Sequence, residues 1–202
     1  AKQGEAAQVS EVDKSKDCDT THRGPVRAFS IDHSTGALTK LNTVASGGAD
    51  PAHLSVHPSG RYVFVANYTG GTVAVFHVLA DGSLGRRTEL IHNDGPRMPD
   101  RAADNPSGNF AISDHSSAHP HMIKADPSGK YVLVMDAGLD RVYVWTLNLE
   151  TGKLKPADVP FTVMTPGSAP RHFEFGQDGR KLYLLCEQDS KVVVADFDPH
   201  TG

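Results

Sequence analysis

Cysteine is scarce in this sequence, with Cys18 and Cys186 alone among 202 residues. Two thiols cannot build the disulfide framework of a small secreted scaffold, so both are expected to be reduced and structural. Long apolar runs are missing as well: none approaches the roughly 18–20 residues of a membrane span. The first ten residues, AKQGEAAQVS, lack the apolar core of a signal peptide, which makes the cytoplasm the expected compartment. Basic charge is not in excess either. A net charge of −4 gives no electrostatic grip on nucleic acid or on an anionic lipid surface. No G-x-S-x-G elbow, P-loop or dinucleotide fingerprint occurs. No stretch of ten residues holds a helical period.

What the chain does have is a repeat. PRHFEFGQDGRKLYLLCEQDSKVVV, from Pro170 to Val194, matches PAHLSVHPSGRYVFVANYTGGTVAV from Pro51 and PHMIKADPSGKYVLVMDAGLDRVYV from Pro120. In each copy a turn glycine (Gly60, Gly129, Gly179) stands nine residues after the proline, and a valine (Val73, Val142, Val192) thirteen residues after the glycine. Three ungapped matches of this length define a repeat protein. Leu54–Val56, Tyr62–Ala66 and Val73–Val78 are rich in β-branched and aromatic residues and bounded by HPSG, NYTGG and ADG, so they read as strands between turns. Leu41–Val44, Thr88–Ile91 and Phe161–Val163 suggest a fourth strand per unit. Four short antiparallel strands in about 48–50 residues describe a β-propeller blade. The fold class is therefore all-β.

The expected layout is one propeller domain over 1–202, cut at both ends: a partial blade at 8–44, blades at about 51–91 and 119–164, and a partial blade at 170–202. Gln8 to Glu11 is the expected end of a second strand in the first unit. The step from Pro51 to Pro120 is 69 residues, against 50 from Pro120 to Pro170. The excess lies in 93–117, a polar stretch without strand pattern, which is expected as a long loop over one end of the propeller; such loops are commonly functional. Bare apolar blade faces imply further blades, about three for a ring of seven, or self-association; a closed four-bladed ring is the alternative.

In a hairpin turning at Gln177–Arg180, the start of the first strand lies beside the end of the second. Arg171 and Glu187 should therefore meet at one end of the blade. The same two slots hold His121 and Ala137 in the preceding unit, and Ala52 and Tyr68 in the one before. First strands line a propeller's channel, so His121, Arg171 and Glu187 should converge at its mouth as the catalytic candidates. His119 stands two residues from His121 on the same strand, and Glu11 falls in the slot equivalent to Glu187. Such a set suits a substrate with a carboxylate or phosphate: arginine pairs those anions, and Glu or His can move a proton or activate water. An Arg–Glu salt bridge that merely fixes a loop is the competing reading. His119-Pro-His121 could be half of a metal site, but no acidic or cysteine partner stands at zinc spacing, and no metal is expected. His53 and His172 share a slot suited to hydrogen bonding between blades, and His172, beside Arg171, also joins His119 and Glu11 as a candidate substrate contact. His57 and His92 read as loop histidines, and Phe76 and Trp145 as filling between blades.

Several stretches together resemble the seven-bladed propeller lactonase family, which holds 6-phosphogluconolactonases and the 3-carboxy-cis,cis-muconate lactonizing enzyme. They are GPVRAFSID at 24–32, GADPAHL at 48–54, GRYVFVANYTGGTV at 60–73, AHPH at 118–121, DAGLDRV at 136–142, and PRHFEFGQDG at 170–179 with Glu187 beyond. The resemblance runs from about residue 8 to 202. It implies a His, Arg and Glu set at His121, Arg171 and Glu187, completed in the family by an arginine from a later blade. It implies a small-molecule lactone substrate and no cofactor. Muconate lactonization and a non-enzymatic binding scaffold are the other functions the resemblance leaves open. The family reads G-P-R-H where this chain has Ala169 before Pro170, Arg171 and His172. It reads D-L-G-T-D where this chain has DAGLD. His92 and Gly95 resemble its H-x-G, whereas its R-Q ahead of the paired histidines is absent.

Overall fold

A computed structural model describes residues 7–9 and 24–202. Fourteen strands form four antiparallel sheets, and the described residues contain no helix. Sheet one holds β1 (Ala7–Val9), β2 (Pro25–Ile31) and β3 (Leu38–Ala45). Sheet two runs in order through β4 (Pro51–Val56), β5 (Tyr62–Asn67), β6 (Thr72–Val78) and β7 (Leu84–His92). Sheet three does the same with β8 (Pro120–Ala125), β9 (Tyr131–Asp136), β10 (Arg141–Asn148) and β11 (Lys153–Val163). Sheet four holds β12 (Pro170–Phe175), β13 (Lys181–Cys186) and β14 (Lys191–Asp196). Each is a meander of neighbouring strands, the all-β blade architecture that the repeat predicts.

The first hairpin of each full repeat turns on its glycine. Gly60, Gly129 and Gly179 have φ of 71°, 77° and 67°, and each N–H closes the turn on the carbonyl three residues back. A side chain at that left-handed φ would be strained, which is why glycine recurs nine residues after each proline.

The sheets stack face to face. Alternation along β5 sends Val63 and Val65 toward Val26 and Ala28 of sheet one, and Tyr62, Phe64 and Ala66 toward Ile123, Val132 and Val134 of sheet three. On β9 the same alternation sends Leu133 and Met135 to Phe173, Leu182 and Leu184 of sheet four. Period-two side chains with apolar partners on both faces explain why β5 and β9 are buried at every residue. The tyrosines that open these strands tie adjacent units: Tyr62 donates to Leu149 O at 2.9 Å, and Tyr131 to His200 O at 2.6 Å. His57, expected as a loop histidine, is instead buried between sheets. Its Nε2 donates to Gly129 O at 2.7 Å while Nδ1 accepts from Ser59. His53 accepts the Ile123 N–H at 3.5 Å, a bond between units of the kind expected for it. Sheet four alternates on β13, with Leu182 and Leu184 inside and Tyr183 and Leu185 open.

Candidate functional site

The first strands β4, β8 and β12 all begin with proline, whose missing N–H is harmless at a strand start. Immediately after each proline the ladder slips by one residue. Pro51 pairs with Asn67 and His53 with Ala66; Pro120 pairs with Asp136 and Met122 with Met135; Pro170 pairs with Cys186 and His172 with Leu185. The skipped residues are Ala52, His121 and Arg171. A bulge re-aims the residue it frees, and nothing in the alternation of the sequence announces it. Opposite each bulge, the residue just past the second strand closes the hairpin end. The N–H groups of Tyr68, Ala137 and Glu187 donate to the carbonyls of Asp50, His119 and Ala169 at 2.8, 3.0 and 3.0 Å. One backbone device, used three times, thus fixes six side-chain positions around a common point.

Those positions line a single cavity of about 260 Å³, where Asp50, Tyr68, His121, Ala137, Arg171 and Glu187 meet. That is toward the small end for a small-molecule site. The Arg171 guanidinium pairs with Glu187 Oε2, and Glu187 Oε1 accepts from Ser113 Oγ at 2.9 Å. The His121 ring lies edge-on to Tyr68 at 5.7 Å and to His172 at 4.9 Å between centroids. Burial, and then the Arg171 charge, hold the His121 imidazolium down to about 3. Burial followed by His172 brings His53 to about 4, and His172 is lowered by burial and Arg171. Burial is the leading cause for all three rings, and the Arg171 charge adds to it for His121 and His172, so the neutral imidazole is favoured.

The other expected contacts separate. His119 is buried outside the cavity wall, stacked on Tyr68 at 4.7 Å, with Nδ1 donating to Tyr68 O at 3.0 Å and Nε2 3.2 Å from Asp114 Oδ2. It supports Tyr68 and does not share a face with His121. His172 touches His121 rather than the cavity, and Glu11 lies outside the described residues. Asp50 and Tyr68 are cavity residues to which sequence reasoning gave no role, although Tyr68 stands in the slot that carries Glu187 in sheet four. Burial raises its phenol above the ordinary value.

Loop 93–117 lies across this same end. Its start is held by Asp136, which accepts from Asn93 Nδ2 at 2.8 Å, from the His119 N–H at 2.9 Å and from the Leu139 N–H at 3.1 Å. Asp140 accepts the Gly167 and Ala169 N–H groups at 2.6 and 2.7 Å, with buried His115 at 3.5 Å. Gly138 sits between these two carboxylates where a Cβ would collide with Ser117 O and the His119 ring. The two aspartates and the glycine of DAGLD therefore clamp the loop to the site. Cys186 is buried and its thiol is pushed up to about 11, which leaves it inert.

An all-β stack of three- and four-stranded antiparallel sheets, with a polar cavity where the first strands begin, is a propeller-type architecture. The profile of the "Lactonase, 7-bladed beta-propeller" family matches residues 11–202, and the chain belongs to that family. It is 31% identical over 180 residues to a 6-phosphogluconolactonase of Bacillus subtilis, covering 89% of this chain and 47% of that protein. A Lactobacillus plantarum protein of known structure superposes with a TM-score of 0.74 at 28% identity, over 97% of this chain and 49% of that one. The periplasmic gluconolactonase of Pseudomonas aeruginosa gives 0.68 at 29% identity, over 88% and 50%. The chain spans about half the length of these relatives.

Proposed function

We propose that the protein opens sugar lactones by hydrolysis, in the manner of a 6-phosphogluconolactonase. The observation that carries this reading is the convergence of His121, Arg171 and Glu187 on one cavity through the bulges of β8 and β12. The B. subtilis relative, named for that activity, supports it.

The chemistry asked of the site is modest. Water adds to the lactone carbonyl carbon, the tetrahedral oxyanion collapses, and the acyl–oxygen bond of the ring breaks. The ring oxygen leaves as a hydroxyl and the acyl carbon as a carboxylate. Arg171 has guanidinium donors beyond the one spent on Glu187, and these suit a phosphate, a carboxylate or the developing oxyanion. With an imidazolium that loses its proton near 3, His121 is a poor proton store at pH 7 but a good hydrogen-bonding partner for water. The proton taken from water therefore goes to Glu187, which can return it to the ring oxygen.

Arg171→Ala should lower kcat/KM for 6-phosphogluconolactone by at least about a hundredfold, since it removes a charge-assisted anion contact and frees Glu187. Turnover is measured by the acid released as the ring opens. An Arg171→Ala protein as active as the parent would remove the assignment. Loss of a conjugated diene from a cis,cis-muconate, with no lactone opening, would move the protein to the lactonizing class.

A further inference from the structure

Glu187 does not receive its geometry from its own sheet alone. One carboxylate oxygen is taken by Arg171, and the other accepts the hydroxyl of Ser113 at 2.9 Å, from the loop 74 residues earlier in the chain. That hydroxyl is not placed by chance. The Ser113 N–H donates to Gln188 Oε1 at 2.6 Å, and Gln188 Nε2 donates back to Ala111 O at 2.5 Å. The Gln188 side chain that makes this two-way clamp is fully buried. Through the clamp, Ser113 faces inward and is 5% exposed, while Phe110 and Ile112 face out. One residue on, Asp114 reaches His119, which stacks on Tyr68. Adjacent loop residues thus touch both flanks of the cavity.

We propose that Ser113 is a positioning residue for Glu187, so that the inserted loop sets the orientation and proton affinity of the proposed proton acceptor. The inference rests on the role given to Glu187 above. A hydroxyl that donates to a carboxylate favours its charged form and fixes which lone pair stays free. Oε2 lies on Arg171 and Oε1 on Ser113, which holds the Glu187 carboxylate at the edge of the cavity it shares with Asp50, Tyr68 and His121. Among the described residues, these three and Arg171 are the ionisable groups that line the cavity with it, and Ser113 is the hydroxyl bonded to it.

The test compares Ser113→Ala with the isosteric pair Ser113→Thr and Ser113→Val, using both kinetics and the ¹³C resonance of the Glu187 carboxyl, assigned by its loss in Glu187→Gln. Removing the hydroxyl should lower kcat about tenfold with KM changed less than about twofold, and should raise the carboxyl titration midpoint by about half to one pH unit. Thr should restore both readouts and Val neither. The Gln188 clamp uses only backbone groups of Ser113 and Ala111, so the loop stays anchored in every variant. Active parent protein with unaltered kcat and midpoint in Ser113→Ala and Ser113→Val would overturn the inference. A midpoint that moves with Ser113 in a protein that opens no lactone would sustain the positioning role and remove the proposed function.

Discussion

The three complete first hairpins share a backbone and differ in what they present. Ala52 and Tyr68, His121 and Ala137, and Arg171 and Glu187 occupy the same pair of slots, with the same bulge after the proline and the same closing bond. Sheet two offers a phenol, sheet three an imidazole, and sheet four an ion pair. The repeat therefore builds the stage three times, while chemistry varies at the pair of slots that each hairpin end presents. Burial at those slots does not decide the fold, because the apolar alternation of β5, β9 and β13 does so on its own. Function could diverge among the units without disturbing their packing.

The most damaging way to break the comparison is to remove what holds the loop in sheet three but not elsewhere. Asp140 is the sheet-three counterpart of Gly71 in sheet two and Ser190 in sheet four, all three at positive φ. Only Asp140 carries a carboxylate across to the next sheet, where it satisfies the Gly167 and Ala169 N–H groups. Burial raises its carboxyl above the ordinary range, so the bonds repay a real desolvation cost. Asp140→Ala should destabilise by about 3 kcal/mol, because two buried donors lose their acceptor. Asp140→Asn, which keeps one oxygen and tolerates the left-handed conformation, should recover part of that. Urea denaturation reads both. Equal midpoints for parent and Asp140→Ala would show that the Asp140 carboxylate does not hold sheets three and four together.

Acid sharpens the comparison between the imidazole slots and the rest. His121 and His53 keep their folded values near 3 and 4, below an unfolded value of about 6.5. Between those limits the unfolded chain binds more protons than the folded one, so stability is full above pH 6.5 and is lost as pH falls toward 3. The buried carboxyls of Asp136 and Asp140 are shifted upward and act with the opposite sign. A difference measurement separates the two: His53→Asn with His121→Asn should show a smaller drop in Tm between pH 7 and pH 4.5 than the parent. An identical drop would mean that these rings are solvated and titrate normally.

Much of this was legible in the sequence, and the reason is physical. Turn glycines, strand-opening prolines and period-two apolar runs are local requirements, so they repeat as text and yield the all-β propeller class. The meeting of Arg171 with Glu187 followed from hairpin geometry, and His121 joined them through the repeat. The bulge at each slot was hidden because it changes register without changing composition. His57 was misread because the partner that buries it, Gly129 O, lies 72 residues away. His119 was placed beside His121 by period two, which the bulge cancels. The contacts of loop 93–117 were out of reach for the same reason: a stretch without period carries no record of where it lands.

The smallest effect separates the residues that precede the three prolines. Asp50 and Ala169 stand at φ of 58° and 51°, whereas His119 is not in the left-handed region. Aspartate tolerates that conformation because its short polar side chain can bond locally, but alanine gains nothing to offset the clash of its Cβ with the backbone, about 1 kcal/mol. The G-P-R-H pattern that the sequence resembles has glycine at this position, where this chain has Ala169. In space the departure is mild, since Ala169 is fully buried while Arg171 and Glu187 both line the cavity. Its cost is conformational. Ala169→Gly should therefore leave kcat and KM within about twofold and change stability by the difference of two terms. Relief of the left-handed alanine stabilises by about 1 kcal/mol, and the added freedom of glycine in the unfolded chain offsets about half of it or more. A net gain of a few tenths of a kcal/mol in urea is the expected result. A loss of about 1 kcal/mol would mean that the methyl packs well enough to outweigh its strain, and that the substitution in this chain is a refinement of the sheet-four slot.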